Sequence, residues 1–276
     1  MRLRYRTDKN AQAVAAFWEK PLGQTECYKI NSLSDDNVEL FLLDVLGWPF
    51  NDINMIIKDL ASIKADTITV RINSPGGDVL DSVALYQALK NHSSRVITRI
   101  ESLAASAASI VAMSGREVQA YSTSLLMIHN SWVIAMGDRF ELQEISNILE
   151  KIDGTLLDVY IAKTKAGKRE MSQMMKDETW FTAKEMKEKG FIDTIVDGKG
   201  AKASFDLSIF ANVPDELISD DHADSTIRNK ERALRDVGFS QKEAKAILAG
   251  RKDSTQRDVE GIQAITNRVK RNLTGG

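Results

Sequence analysis

Residues 67–79 read TITVRINSPGGDV, and this stretch decides the fold. TITVRI at 67–72 is rich in β-branched residues and reads as a buried strand. NSPGGD ends it in a turn, and Val79, Val83, Tyr86 and Leu89 then share one face of a helix over about 79–91. The same cycle follows downstream: RVITRI at 95–100 reads as a strand, the small-residue run SLAASAAS at 102–109 opens a helix to about Met113, and EVQAY at 117–121 and LLMIH at 125–129 read as further strands. Strand, turn, helix, strand in succession predicts an α/β fold with a mostly parallel sheet.

Upstream, VELFLLDVL at 38–46 is an apolar run, and Ile53, Met55, Ile56, Leu60 and Ile63 recur at helical spacing within 51–64. Downstream, residues 138–166 carry a long helical pattern through Phe140, Ile145, Leu149, Ile152, Leu156 and Tyr160. A helix from about Thr182 ends at Gly190, and FIDTIV at 191–196 reads as a short strand. From about 213 the chain turns polar and acidic in PDELISDDHADSTI and leads into what reads as a small helical appendage.

Composition excludes several classes. The 276 residues carry 37 Lys+Arg against 39 Asp+Glu, a net charge of −2, so no global positive field argues for nucleic acid. Cys27 is the single cysteine, which excludes an internal disulfide and a multi-cysteine zinc site and suits a reducing cytosol. No apolar run approaches the ~20 residues that span a bilayer, so a soluble, cytoplasmic protein is expected.

Adjacent glycines at 76 and 77 let a backbone approach a ligand and aim an N–H at it, although NSPGGD alone reads equally well as a plain strand-to-helix turn with Asp78 as cap. Ser106 lies among four alanines at a helix start, where first-turn N–H groups lack intrahelical partners; Ser102 and Ser109 are rival hydroxyls. Of the three histidines, His92 follows a helix in a polar loop and His222 lies in the acidic stretch, whereas His129 ends an apolar run where a loop begins. A neutral imidazole is suited to taking a proton from a serine near neutral pH.

In order, INSPGG at 72–77, Ala104-Ala105-Ser106 and Met127-Ile128-His129 resemble the motifs of the proteolytic-subunit family of the Clp proteases, and TWFTAKEMKEKGFIDTI at 179–195 is similar to that family's later helix and closing strand. The resemblance covers about residues 28–200. It implies a ClpP/crotonase-like repeated β-β-α superhelix with a protruding helical handle, here joined to a C-terminal helical appendage. The division expected is an N-terminal segment 1–27, a protease domain 28–212, and a linker with helical tail 213–276.

Carried over residue by residue, the resemblance implies a serine endopeptidase with Ser106 as nucleophile, His129 as general base, and the N–H groups of Gly77 and Ala107 as oxyanion donors. The family's aspartate falls on Glu178, with Asp177 next door as the alternative. Gly76, Asp78 and Val79 are the residues expected to bind extended substrate as an added strand. No metal or cofactor is implied. The expected partners are a protein substrate, further copies in a heptameric ring or double ring, and an ATPase unfoldase; neither nucleic acid nor membrane is expected. The divergent start and the tail RALRDVGFSQKEAKAILAG at 232–250 look more like the prohead proteases of tailed bacteriophages, which process capsid or scaffold proteins. Competing readings are a crotonase-type acyl-CoA enzyme, a serine–lysine peptidase, a general ATPase-assisted subunit, and a non-catalytic capsid assembly protein.

Overall fold

A computed structural model describes residues 8–214, apart from 19, 24–26, 136, 199–204, 206 and 208. The helical appendage expected after the linker therefore lies outside the described residues. In chain order the elements are α1 (Asp8–Phe17), β1 (Tyr28–Ser32), β2 (Asn37–Leu43), α2 (Ile53–Ser62), β3 (Thr67–Ser74), α3 (Val79–Lys90), β4 (Arg95–Ala105) and α4 (Ala107–Ala112). There follow β5 (Glu117–Tyr121), β6 (Leu125–Ile128), α5 (Arg139–Lys163), α6 (Lys168–Lys176), β7 (Thr179–Thr182), α7 (Ala183–Lys189) and β8 (Thr194–Val196).

The sheet runs β1-β2-β3-β4-β5-β8, and a branch leaves it where β6 pairs with β4 and β7 pairs with β6. The β2–β3, β3–β4, β4–β5 and β5–β8 pairs are parallel, as the alternation of strands and helices predicts. The β1–β2 and β6–β7 pairs are antiparallel. Helices α2 and α3 cover the sheet with Ile53, Ile56, Leu60, Leu85 and Leu89, against Leu40, Leu42, Ile68, Val70 and Ile72. Each such side chain taken from water stabilises the fold by roughly 1.5–3 kcal/mol before chain entropy is counted.

Strand β4 is where the branch begins. Its residues 97–100 pair with β5, and residues 103–105 pair with β6 instead. Ser124 fills the fork: its buried hydroxyl donates to the Ile100 carbonyl at 2.7 Å and accepts from the Tyr121 N–H at 3.0 Å. This corrects the expectation that SLAASAAS opens a helix at its start. Residues 102–105 are strand, with 103–105 paired to β6, and the helix begins only at Ala107. Likewise only Thr194–Val196 of the FIDTIV segment is strand.

Helix α5 has 25 residues, about 37 Å of length. An Asp138/Glu141 capping box starts it. Leu156, Leu157 and Tyr160 anchor its second half in the core, whereas its first half buries no side chain among the described residues and exposes Phe140 and Leu142.

Candidate active site

Three strand pairings bring the candidate residues together. In the parallel β4–β6 ladder Ala105 pairs with Met127, so the residue after β4, Ser106, lies beside the end of β6. In the antiparallel β6–β7 ladder Ile128 pairs with Thr179, and the next step of that register sets His129 level with Glu178. On the other side, β3 ends beside β4 with Ser74 opposite Ala104, which delivers the NSPGG turn to Ser106.

Ser106 occupies a sharp strand-to-helix turn with φ 53° and ψ −128°. A non-glycine residue held there carries about 1–3 kcal/mol of backbone strain. The turn is locked by the Ser106 N–H donating to the Met127 carbonyl at 2.9 Å and by Ser109, whose N–H and hydroxyl both donate to the Ser106 carbonyl. Its hydroxyl stands 2.6 Å from His129 Nε2. The rival Ser109 is fully buried and hydrogen-bonded to Tyr160 of α5 at 2.7 Å. Ser102 lies within β4, and the His129 ring is bonded to Ser106.

The glycine turn faces this serine. The Leu46 N–H donates to the Gly76 carbonyl at 2.7 Å and the Asp78 N–H to the Leu46 carbonyl at 2.8 Å. This parallel bridge uses the peptides on either side of Gly77, leaving the Gly77 N–H on the side away from Leu46. At φ 147° a Cβ on Gly77 would stand 2.0 Å from the Leu46 carbonyl oxygen, so only glycine fits. Gly76 presses on the elbow itself, its notional Cβ lying 3.1 Å from the Ala107 nitrogen. Ala107 is the first residue of α4, and its N–H has no carbonyl upstream in that helix. Asp78 caps α3 by accepting from the Asp81 N–H at 3.0 Å, a structural use of its carboxylate, while its backbone and Val79 line the cleft.

Beyond Ser106 and His129 lies a cavity of about 200 Å³. Its walls are largely apolar, with Trp132, Ile145, Leu149, Ile152 and Leu156 facing Gly77. Burial pushes the His129 imidazole below the ordinary histidine value, and the negative charges of Glu178 and Asp153 oppose that shift. The ring is therefore neutral near pH 7 and able to accept the serine proton.

Of the two acids expected behind His129, Glu178 sits at the right register position with φ 49°. Its carboxylate accepts from the Ala211 and Asn212 N–H groups at 3.0 and 2.6 Å, and among the described residues no hydrogen bond joins it to His129. Asp177 ends α6 with an exposed side chain bonded to Gln173. Sequence reasoning passed over Asp153: its Oδ1 accepts from both the N–H and the hydroxyl of Ser131, at 2.7 and 2.6 Å, fastening the loop that follows His129 onto α5. Nothing in the sequence separates Asp153 from the other acids on that helix. No cluster of metal-ligating side chains occurs among the described residues, and no described helix is long and apolar enough to cross a membrane.

A protein-family model described as Clp protease matches residues 27–199. Among curated proteins, the chain is 29% identical over 129 residues to an ATP-dependent Clp protease proteolytic subunit 1 of Protochlamydia amoebophila, covering 45% of this chain and 63% of the relative. It is 30% identical over 129 residues to the subunit of the same name from Chlamydia abortus, covering 45% of this chain and 67% of the relative. Against an ATP-dependent Clp protease proteolytic subunit of Bacteroides thetaiotaomicron the identity is 25% over 181 residues, covering 64% of this chain and 82% of the relative.

Proposed function

The chain belongs to the Clp protease family, whose chemistry is that of serine-type peptidases, and on that premise we propose that it hydrolyses peptide bonds through an acyl-enzyme on Ser106. The observation that carries this reading is the 2.6 Å approach of the Ser106 hydroxyl to His129 Nε2 at a strained strand-to-helix turn. Ser106 Oγ attacks the scissile carbonyl carbon while His129 takes its proton. The Gly77 and Ala107 N–H groups receive the oxyanion, each such donor being worth on the order of 10²–10³ in rate. His129 then protonates the leaving amine, and water repeats the sequence to release the acid. Glu178 fixes the imidazole tautomer in that cycle once its carboxylate has left Ala211 and Asn212 and turned toward His129. The apolar cavity beside Ser106 suits an apolar side chain next to the scissile bond. Labelling of Ser106 by a fluorophosphonate, abolished in Ser106→Ala, tests the reading; labelling that persists in Ser106→Ala overturns it.

The substrate we propose is a capsid or scaffold protein of an assembling phage head. Support comes from the tail at 232–250, with its similarity to phage prohead proteases, and from the divergent chain start. Mass spectrometry of a co-expressed candidate capsid protein, with Ser106 present or replaced, tests it. A homo-oligomeric ring is part of the same proposal. The half of α5 that has no fully buried side chain among the described residues, with exposed Phe140 and Leu142, is the handle that would make ring-to-ring contacts. Sedimentation that shows only monomer at high concentration counts against it.

A further inference from the structure

One side of the site is covered by the protein's own chain. Phe210, which is only 8% exposed, meets three rings edge-on: His129 at 5.9 Å, Trp180 at 5.8 Å and Trp18 at 6.5 Å between centroids. It lines the same cavity as Ser106 and His129. Ile209 and Val213, on either side of it, pack on the apolar patch formed by Leu103, Ala105 and Met127. The next two residues take the acid: the Ala211 N–H donates to Glu178 Oε2 and the Asn212 N–H to Oε1. Asn212 Nδ2 also donates to the Asp177 carbonyl at 2.8 Å, so the segment is tied to the α6–β7 turn at three points.

Resting on the serine-peptidase reading, we propose that residues 209–214 are an autoinhibitory strap that covers one side of the catalytic cleft and holds the third acid off the histidine. The chemistry is specific. A carboxylate whose two oxygens accept from two successive backbone N–H groups is held by charge-assisted bonds, and rotating it toward His129 requires those bonds to be given up. The ring of Phe210 meanwhile shields the imidazole from water and from a substrate backbone on that side. The glutamate side chain has one methylene more than aspartate, which lengthens its reach. Opening the strap exposes His129 and frees Glu178 in one movement. The rate then depends on the fraction of molecules with the strap open.

The test uses the full chain and the fluorophosphonate labelling rate of Ser106. Phe210→Ala removes the ring over His129, and Asn212→Pro removes the N–H that donates at 2.6 Å. Each variant is expected to label at least threefold faster than the parent, and a folded example of either one suffices. Labelling of the parent as fast as, or faster than, the variants overturns the strap and leaves the peptidase reading in place. Absence of labelling in the parent and in both variants overturns the two together.

Discussion

Gly76 approaches Ser106 so closely that a Cβ built on the glycine would lie 2.7 Å from the serine Cβ. The glycine turn and the strand-to-helix turn at Ser106 are thus fitted to each other through a missing methyl group. With φ 109° at the glycine, Gly76→Ala meets both a clash and a backbone penalty. We expect it to lower stability by about 1–3 kcal/mol and peptide turnover by at least tenfold, read by thermal melting and a fluorogenic peptide assay.

The strain at Ser106 has a measurable sign. Ser106→Gly removes the side chain from a conformation that glycine adopts freely, so the variant is expected to be inactive yet more stable, by about 1 kcal/mol. Ser106→Ala keeps the Cβ and is expected to be inactive with a melting temperature close to the parent's. A Ser106→Gly protein that melts below Ser106→Ala contradicts the strained elbow.

Because burial lowers the His129 value, the base stays neutral to a lower pH than an exposed histidine does. The acid limb of the kcat/KM profile is therefore expected below about 6.5, the unperturbed histidine value. Glu178 opposes the shift, so Glu178→Gln is expected to move the limb further toward acid. A limb that moves toward neutral in that variant reverses the assigned electrostatics.

For the acid behind the histidine, register favours Glu178, and the exposed Asp177 side chain is bonded to Gln173. Glu178→Gln is expected to cut kcat on the order of 10²-fold or more, by analogy of role with other triad acids, and Asp177→Asn to stay within about twofold. The reverse ranking transfers the role to Asp177.

Away from the site, Arg71 grips the buried Glu101 with two bonds at 2.7 and 3.0 Å and reaches Glu39 at 3.3 Å, joining β2, β3 and β4. Arg71 is held more firmly protonated by these partners, Glu101 foremost. Glu101→Ala is expected to cost about 2–3 kcal/mol by chemical denaturation, moderated because the arginine is partly exposed, with the labelling rate of Ser106 unchanged.

Much of this was legible in the chain. TITVRI and RVITRI are β-branched and uninterrupted, and they fold as parallel neighbours. The histidine was separable from its rivals because it ends an apolar run, whereas Ser106 was set apart from Ser102 and Ser109 by the family resemblance. What escaped was decided by tertiary pairing. The alanines of SLAASAAS favour helix locally, and residues 103–105 are drawn into strand because β6 offers partners. TWFT is too short to announce a strand between two helices, yet β7 is what delivers Glu178. Phe210 is one aromatic residue in an irregular stretch and shows its neighbours only in three dimensions.

The fork in β4 also bears on timing during synthesis. Ser106 and His129 meet only through the β4–β6 pairing, and Glu178 joins them only when β7, some fifty residues later in the chain, adds to β6. The second pairing spans more than twice the sequence separation of the first, so its loop-closure cost is the larger. A chain in which β6 has not paired with β4 therefore holds Ser106 apart from His129, and one in which β7 has not added to β6 lacks Glu178 beside them.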